Sequence, residues 1–122
     1  MACRVYRRGE RYEGAQGMTY FEGLSGPGIC MVELELPPGK RSRAHLHRGV
    51  ESAGYVIEGE LEMRWGEKLE HRERIRAGDL AYIPPDMPHL VLNPTQRTAR
   101  ALVAHTAPHD QQGIELLPDL ET

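Results

Sequence analysis

Residues 39–59 read GKRSRAHLHRGVESAGYVIEG, and the spacing inside this stretch carries the reading of the fold. His45 and His47 are separated by one residue. On a β-strand that spacing puts both imidazoles on one face, because successive side chains alternate. On a helix the two would diverge. Glu51 follows four residues after His47, beyond the turn expected at Arg48-Gly49. The stretch is therefore read as two short strands joined by a turn, with a carboxylate on the second able to join two imidazoles on the first.

The rest of the chain agrees with strands. Val32-Glu33-Leu34-Glu35-Leu36 and Glu60-Leu61-Glu62-Met63-Arg64-Trp65 alternate apolar with charged residues, the pattern of a sheet with one face on a core and one in water. Breakers punctuate them: Gly26-Pro27-Gly28, Pro37-Pro38-Gly39, Pro84-Pro85-Asp86 and Asn93-Pro94-Thr95. Further strands are expected over 79–83, 89–92 and 98–105, with residues 114–117 as an edge strand or loose tail. The 122 residues include 13 Gly and 9 Pro, too many for a helical bundle and suited to frequent tight turns. No window shows a sustained apolar stripe at helical spacing. An all-β sandwich or barrel follows. The mixed-sign run 66–74 reads as the solvated face of a hairpin.

Composition narrows the function classes. At this length residues 1–122 make one domain. The net charge is −3, against the basic excess of a nucleic-acid binder. No apolar run approaches the roughly 20 residues needed to cross a bilayer as a helix, and no apolar stretch follows the basic residues of the start. Two distant cysteines, Cys3 and Cys30, form neither a disulfide framework nor a zinc knuckle. A cytoplasmic, thiol-reducing compartment is the expectation. Triad, P-loop and dinucleotide motifs are absent.

His89, directly after the turn at 85–88, is a further candidate ligand. Three imidazoles and one carboxylate suit a single divalent first-row ion such as Mn, Fe, Ni or Zn. Such a set leaves open positions for a substrate, water or dioxygen.

At these residues the sequence resembles the cupin family. The first family motif, G-x5-H-x-H-x3,4-E-x6-G, is matched by Gly39, His45, His47, Glu51 and Gly59, with seven residues in place of six before the last Gly. The second, G-x5-P-x-G-x2-H-x3-N, is matched over 78–93 by Gly78, Pro84, Asp86, His89 and Asn93, with Asp86 standing where the motif has Gly. The resemblance implies a double-stranded β-helix, or jelly-roll, barrel holding a metal on His45, His47 and His89. Glu51 is taken as the fourth ligand. Counted back from Gly59, however, the ligand slot falls on Ser52, and a bulge at 52–54 would be needed to bring Glu51 inward. A three-His site with Ser52 nearby is the alternative.

Arg43, two residues before His45, shares its face on a regular strand and could clamp an anionic substrate group; otherwise it forms a charged edge with Lys40 and Arg41. Tyr55 is the second candidate substrate contact. Tyr20, Met31, Tyr55, Trp65 and Tyr82 are candidates for the barrel lining. His105 could face the pocket, while His71 and His109 sit in polar stretches. No catalytic residue can be named from the sequence. The resemblance implies a metal-dependent enzyme on a small molecule, with dioxygenase-like chemistry favoured. The alternatives are a small-molecule binding or sensing barrel, or an isomerase- or decarboxylase-type enzyme. A homodimer is the expected assembly.

Overall fold

The structure is a computed structural model that describes residues 2–121. Eleven strands follow one another: β1 Arg11–Glu13, β2 Thr19–Ser25, β3 Cys30–Leu36, β4 His45–His47, β5 Ser52–Glu58, β6 Glu60–Trp65, β7 His71–Arg76, β8 Leu80–Ile83, β9 His89–Leu92, β10 Ala99–His105 and β11 Ile114–Leu116. A short 3₁₀ turn over Pro118–Glu121 closes the described chain. The alternating segments became β3 and β6, and the run after Trp65 became the exposed strand of the β6–β7 hairpin. Residues 114–116 form the expected edge strand, paired with β4.

The strands make two antiparallel sheets, ordered β1-β2-β3-β10-β5-β8 and β11-β4-β9-β6-β7, which face each other as a jelly-roll. Cross-strand register sorts the inward side chains into layers, since directly paired residues share a face. In the six-stranded sheet these layers are Leu36 with Ala99, then Leu34, Ala101 and Val56, then Val32, Val103, Gly54 and Ala81. The last layer is Cys30, His105, Ser52 and Ile83. In the other sheet the matching row is Leu116, His45, His89, Trp65 and His71. One end of the barrel is thus a hydrocarbon core around Tyr20, Leu34, Leu36, Val56 and Leu61. The other end carries imidazoles on both walls.

The two motifs brace each other at the core end. Gly39 N–H donates to the Asn93 carbonyl at 3.0 Å, and Asn93 N–H donates to the Lys40 carbonyl at 2.8 Å. The buried Asn93 amide donates to the carbonyls of Leu36 and Arg97 and accepts from Thr95. Gly59 turns β5 into β6 at φ +82°, where a Cβ would stand 2.9 Å from Ala99 Cα. Both the left-handed backbone and the close neighbour resist any side chain. Gly59→Ala is expected to cost about 2 kcal/mol, read as a lowered thermal midpoint by circular dichroism. An unchanged midpoint would contradict the packing described for this turn.

Candidate metal centre

His45 and His89 are direct cross-strand partners on β4 and β9, so a 44-residue separation closes to ring centroids 4.3 Å apart. His47 projects from the same face, with its centroid 5.2 Å from His45 and 5.8 Å from His89. Each of the three offers a nitrogen within 4.8 Å of the other two. All three are buried.

The backbone decides their tautomers. His45 Nδ1–H donates to the Arg43 carbonyl at 2.7 Å, and His89 Nδ1–H donates to the Met87 carbonyl at 2.9 Å. A carbonyl can only accept, so the proton sits on Nδ1 and the Nε2 lone pair is left for an ion. His47 is held through its main chain, whose carbonyl accepts from Asp86 N–H at 3.0 Å. Its buried Nδ1 makes no hydrogen bond of good geometry among the described residues, although the Gln112 main chain acts on the ring as an acceptor. Burial pushes His45 down to about 4, and burial with neighbouring imidazoles pushes His47 and His89 down to about 3. The rings are neutral at pH 7, the state a metal requires. A divalent transition ion fits this donor set.

Glu51 is not brought to this cluster. Its backbone is pinned to Thr106, with Glu51 N–H donating to Thr106 Oγ1 at 2.9 Å and Thr106 N–H donating back to the Glu51 carbonyl at 3.0 Å. Its exposed carboxylate accepts a hydrogen bond from the Tyr82 hydroxyl. The register from Ser52 to Val56 runs unbroken along β10, and the irregularity falls at Ile57 instead of at 52–54. Ser52, Gly54 and Val56 therefore face inward, and Ser52 stands in the ligand row. Its Oγ lies 2.7 Å from His105 Nδ1. Asp86, in place of the motif Gly, adopts φ +64°, a conformation Asp tolerates, and its carboxylate accepts from Gly49 N–H at 2.9 Å.

Of the two candidate substrate contacts, Arg43 lies at the surface. Arg43 precedes β4 in a segment that is not regular strand, so parity does not carry its side chain inward. The guanidinium lies 3.7 Å from Glu121 at the surface, and it is the Arg43 carbonyl that serves the site. Tyr55 is odd in register to Ser52 and 43% exposed, yet it is among the residues that border the histidine cavity. Met31 and Tyr82 belong to outward positions, while Tyr20 lines the interior. His105 does face the site. Its ring stacks on His47 across the two sheets, centroids 4.8 Å apart, and burial lowers its pKa while Asp110 opposes the shift. His71 is exposed but stacks on Trp65.

The histidines form one wall of a cavity of about 80 Å³, lined otherwise by residues such as Leu34, Val56, Met63 and Val103. Among the described residues, no Arg, Lys, Asp or Glu lines it. No helix among the described residues is long and apolar enough to cross a membrane.

Comparison with known proteins agrees with this architecture. The chain is 33% identical over 84 residues to germin-like protein subfamily T member 3 of Arabidopsis thaliana, covering 67% of this chain and 37% of that protein. The chain thus spans little more than a third of that relative's length. A structure of oxalate oxidase in complex with the substrate analogue glycolate superimposes with a TM-score of 0.66 at 25% identity, over 75% of this chain and 47% of that one. The structure of KdgF from Halomonas sp. superimposes with a TM-score of 0.76 at 15% identity, over 89% of this chain and 97% of that one, a likeness of fold. The family described as cupin domain matches residues 32–105, a span that holds all four buried histidines. The chain belongs to the cupin domain family.

Proposed function

We propose that the protein is a metal-dependent oxidoreductase acting on a small molecule, with one divalent ion held by His45, His47 and His89. The observation that carries this reading is the set of three neutral imidazoles facing an otherwise apolar cavity with no carboxylate among them. When bound, the ion would supply Lewis acidity and, if redox-active, one-electron chemistry toward dioxygen. The chain's own residues supply the rest. Arg43 and Met87 carbonyls orient two of the rings, and the β6, β9 and β10 side chains keep water from the cavity. His105 with Ser52 offers a hydrogen-bonding group on the opposite wall. The similarity to an oxalate oxidase supports oxygen chemistry as the class, while the uncharged cavity argues for a different substrate.

The test is reconstitution with Mn²⁺, Fe²⁺, Ni²⁺ or Zn²⁺, metal analysis, then substrate screening under air and under nitrogen. One ion per chain is expected, with oxygen-dependent turnover for Fe²⁺ or Mn²⁺ and none for Zn²⁺. Stoichiometric ion with no turnover of any compound would replace this reading with a binding or sensing barrel. Cys3 and Cys30, one exposed and one buried, are both free, which supports work in the cytoplasm.

The same proposal includes a homodimer. The outer face of the six-stranded sheet is half ion-paired, with Arg100 between Glu33, Glu35 and Glu58. Its other half exposes Tyr55, Ile57 and Leu80, the last 80% accessible, next to the free edge of β8. A second copy docked there would cover both apolar surface and the open edge. A stable interface needs about 800 Å² per partner, more than these three side chains alone supply, so the contact would extend along β8. Light scattering at micromolar concentration is expected to return twice the 13.8 kDa chain mass, and Leu80→Lys to halve it. A monomeric wild-type protein would overturn this.

A further inference from the structure

Beside the histidine cavity lies a second space of about 260 Å³, bounded by Met63, Trp65, Tyr82, Ile83, Pro84 and Met87. It is not a separate feature of the surface. Met63 and Ile83 are walls common to both spaces. Trp65 is the direct cross-strand partner of His89, and Ile83 that of Ser52, so both stand in the rows that carry the imidazoles. The space adjoins the site, with Met63 of β6 and Ile83 of β8 bordering both.

Its chemistry is consistent throughout. Two thioethers, an indole and a proline ring meet there, and no cationic side chain is among them. Thioether sulfur and the face of an indole both favour an aromatic ring over a saturated one. The indole is held in place from behind by His71, ring centroids 5.1 Å apart and 27° from parallel. A negative charge adjoins this lining, since the Tyr82 hydroxyl donates to the Glu51 carboxylate. Asp86, next to Met87, has its charge offset by Arg48 at 3.8 Å. An anion entering here would lose hydration with nothing to replace it.

Size assigns the parts of a ligand. A dry cavity of about 150 Å³ accommodates benzene, so the outer space takes one six-membered ring and the inner one does not. The inner cavity has room for only a few atoms beside the histidines. We infer that the flank formed by Met63, Trp65, Pro84 and Met87 is a binding subsite for an uncharged monocyclic aromatic ring whose hydroxyl or carbonyl substituent reaches the histidine cavity. This names the ligand class for the site proposed above and rests on that reading for its inner half alone.

Trp65 is the single tryptophan, so its indole N–H gives one resonance in a ¹⁵N-labelled protein. Phenol, cyclohexanol and oxalate are titrated into the metal-free and the Zn²⁺-loaded protein while that resonance is followed. Phenol is expected to shift it saturably in both, cyclohexanol to bind several-fold more weakly, and oxalate to leave it unmoved in the metal-free protein. Met87→Glu is expected to weaken phenol binding to the metal-free protein by about tenfold or more. Met87→Ala, which removes the sulfur without adding charge, is expected to weaken it by a smaller factor. An unmoved resonance at about 10 mM phenol, a dissociation constant far weaker than specific ligands show, would overturn the subsite. So would a shift by oxalate equal to that by phenol in the metal-free protein. Phenol binding without Zn²⁺ binding would sink the metal reading and leave the subsite standing; the reverse pair of results would do the opposite.

Discussion

Replacing His45, His47 or His89 by Ala is expected to weaken divalent-ion binding by about 100-fold or more, whereas Glu51→Gln changes it by less than about twofold. Each imidazole presents a neutral nitrogen to a common point, so losing one removes a bond that no neighbouring side chain can replace. The nearest candidate, His105, lies on the opposite wall with its Nδ1 engaged by Ser52. Glu51 is committed elsewhere, its backbone tied to Thr106 and its carboxylate to Tyr82. Calorimetric titration with Zn²⁺ at pH 7 reads the effect directly. A loss on Glu51→Gln as large as that on the histidine variants would mean that β5 is paired to β10 one residue out of the register described here. Ser52→Glu is the complementary variant. It places a carboxylate in the inward row, and tighter Mn²⁺ binding is expected because Mn²⁺ favours oxygen donors.

The metal-free protein is expected to unfold cooperatively as pH is lowered from 6.5 toward 4. The folded-state pKa values of His45, His47 and His89 all lie below the ordinary 6.5, at about 4, 3 and 3. The unfolded chain therefore takes up protons first as pH falls, and stability must fall with it. Above pH 6.5 both states are neutral and this stability is fully present. It is lost through the window between 6.5 and the folded values. For His45 alone the displacement from 6.5 to about 4 corresponds to about 3 kcal/mol. The total stability of a domain is about 5–15 kcal/mol, so protonating these groups removes a large share of it. Circular dichroism against pH measures the midpoint, and His45→Gln is expected to move it to lower pH because one proton-binding site is removed. Saturating Zn²⁺ is expected to move it the same way, since bound rings cannot protonate until the ion leaves. A thermal midpoint that stays level from pH 7 to 4 would show that the rings are less buried than described.

Local order along the chain was legible wherever side-chain parity and turn chemistry act alone. His45 and His47 share a face because they are two apart on an extended segment, and Pro37-Pro38-Gly39 and Pro84-Pro85 end the strands around them. Asp86 could be read as a left-handed turn residue, and it is one. Arg43 was misplaced by the same parity rule, because residues 42–44 are not strand, so alternation does not hold there. Glu51 was misplaced because parity along β5 can be counted only after the position of its bulge is known. That position depends on which residue of β10 each residue of β5 meets. Trp65 could be named for the interior by its alternation with Met63, but nothing local to it shows that it stands beside His89.

The amino-acid sequence alone determined the strand segments from Val32 onward, the turns between them, the family and three of the imidazoles that meet, while β1 and β2 went unread. These follow from forces acting within a few residues: alternation, the φ preferences of Gly, Pro and Asp, and the cost of exposing apolar side chains. Tertiary structure alone decided that Ser52 and not Glu51 faces the imidazoles, that His105 joins them from the opposite sheet, and that Trp65 stands beside His89. Those outcomes are set by hydrogen-bond register between strands distant in the chain, and a one-residue change in that pairing turns every side chain of a strand to its other face.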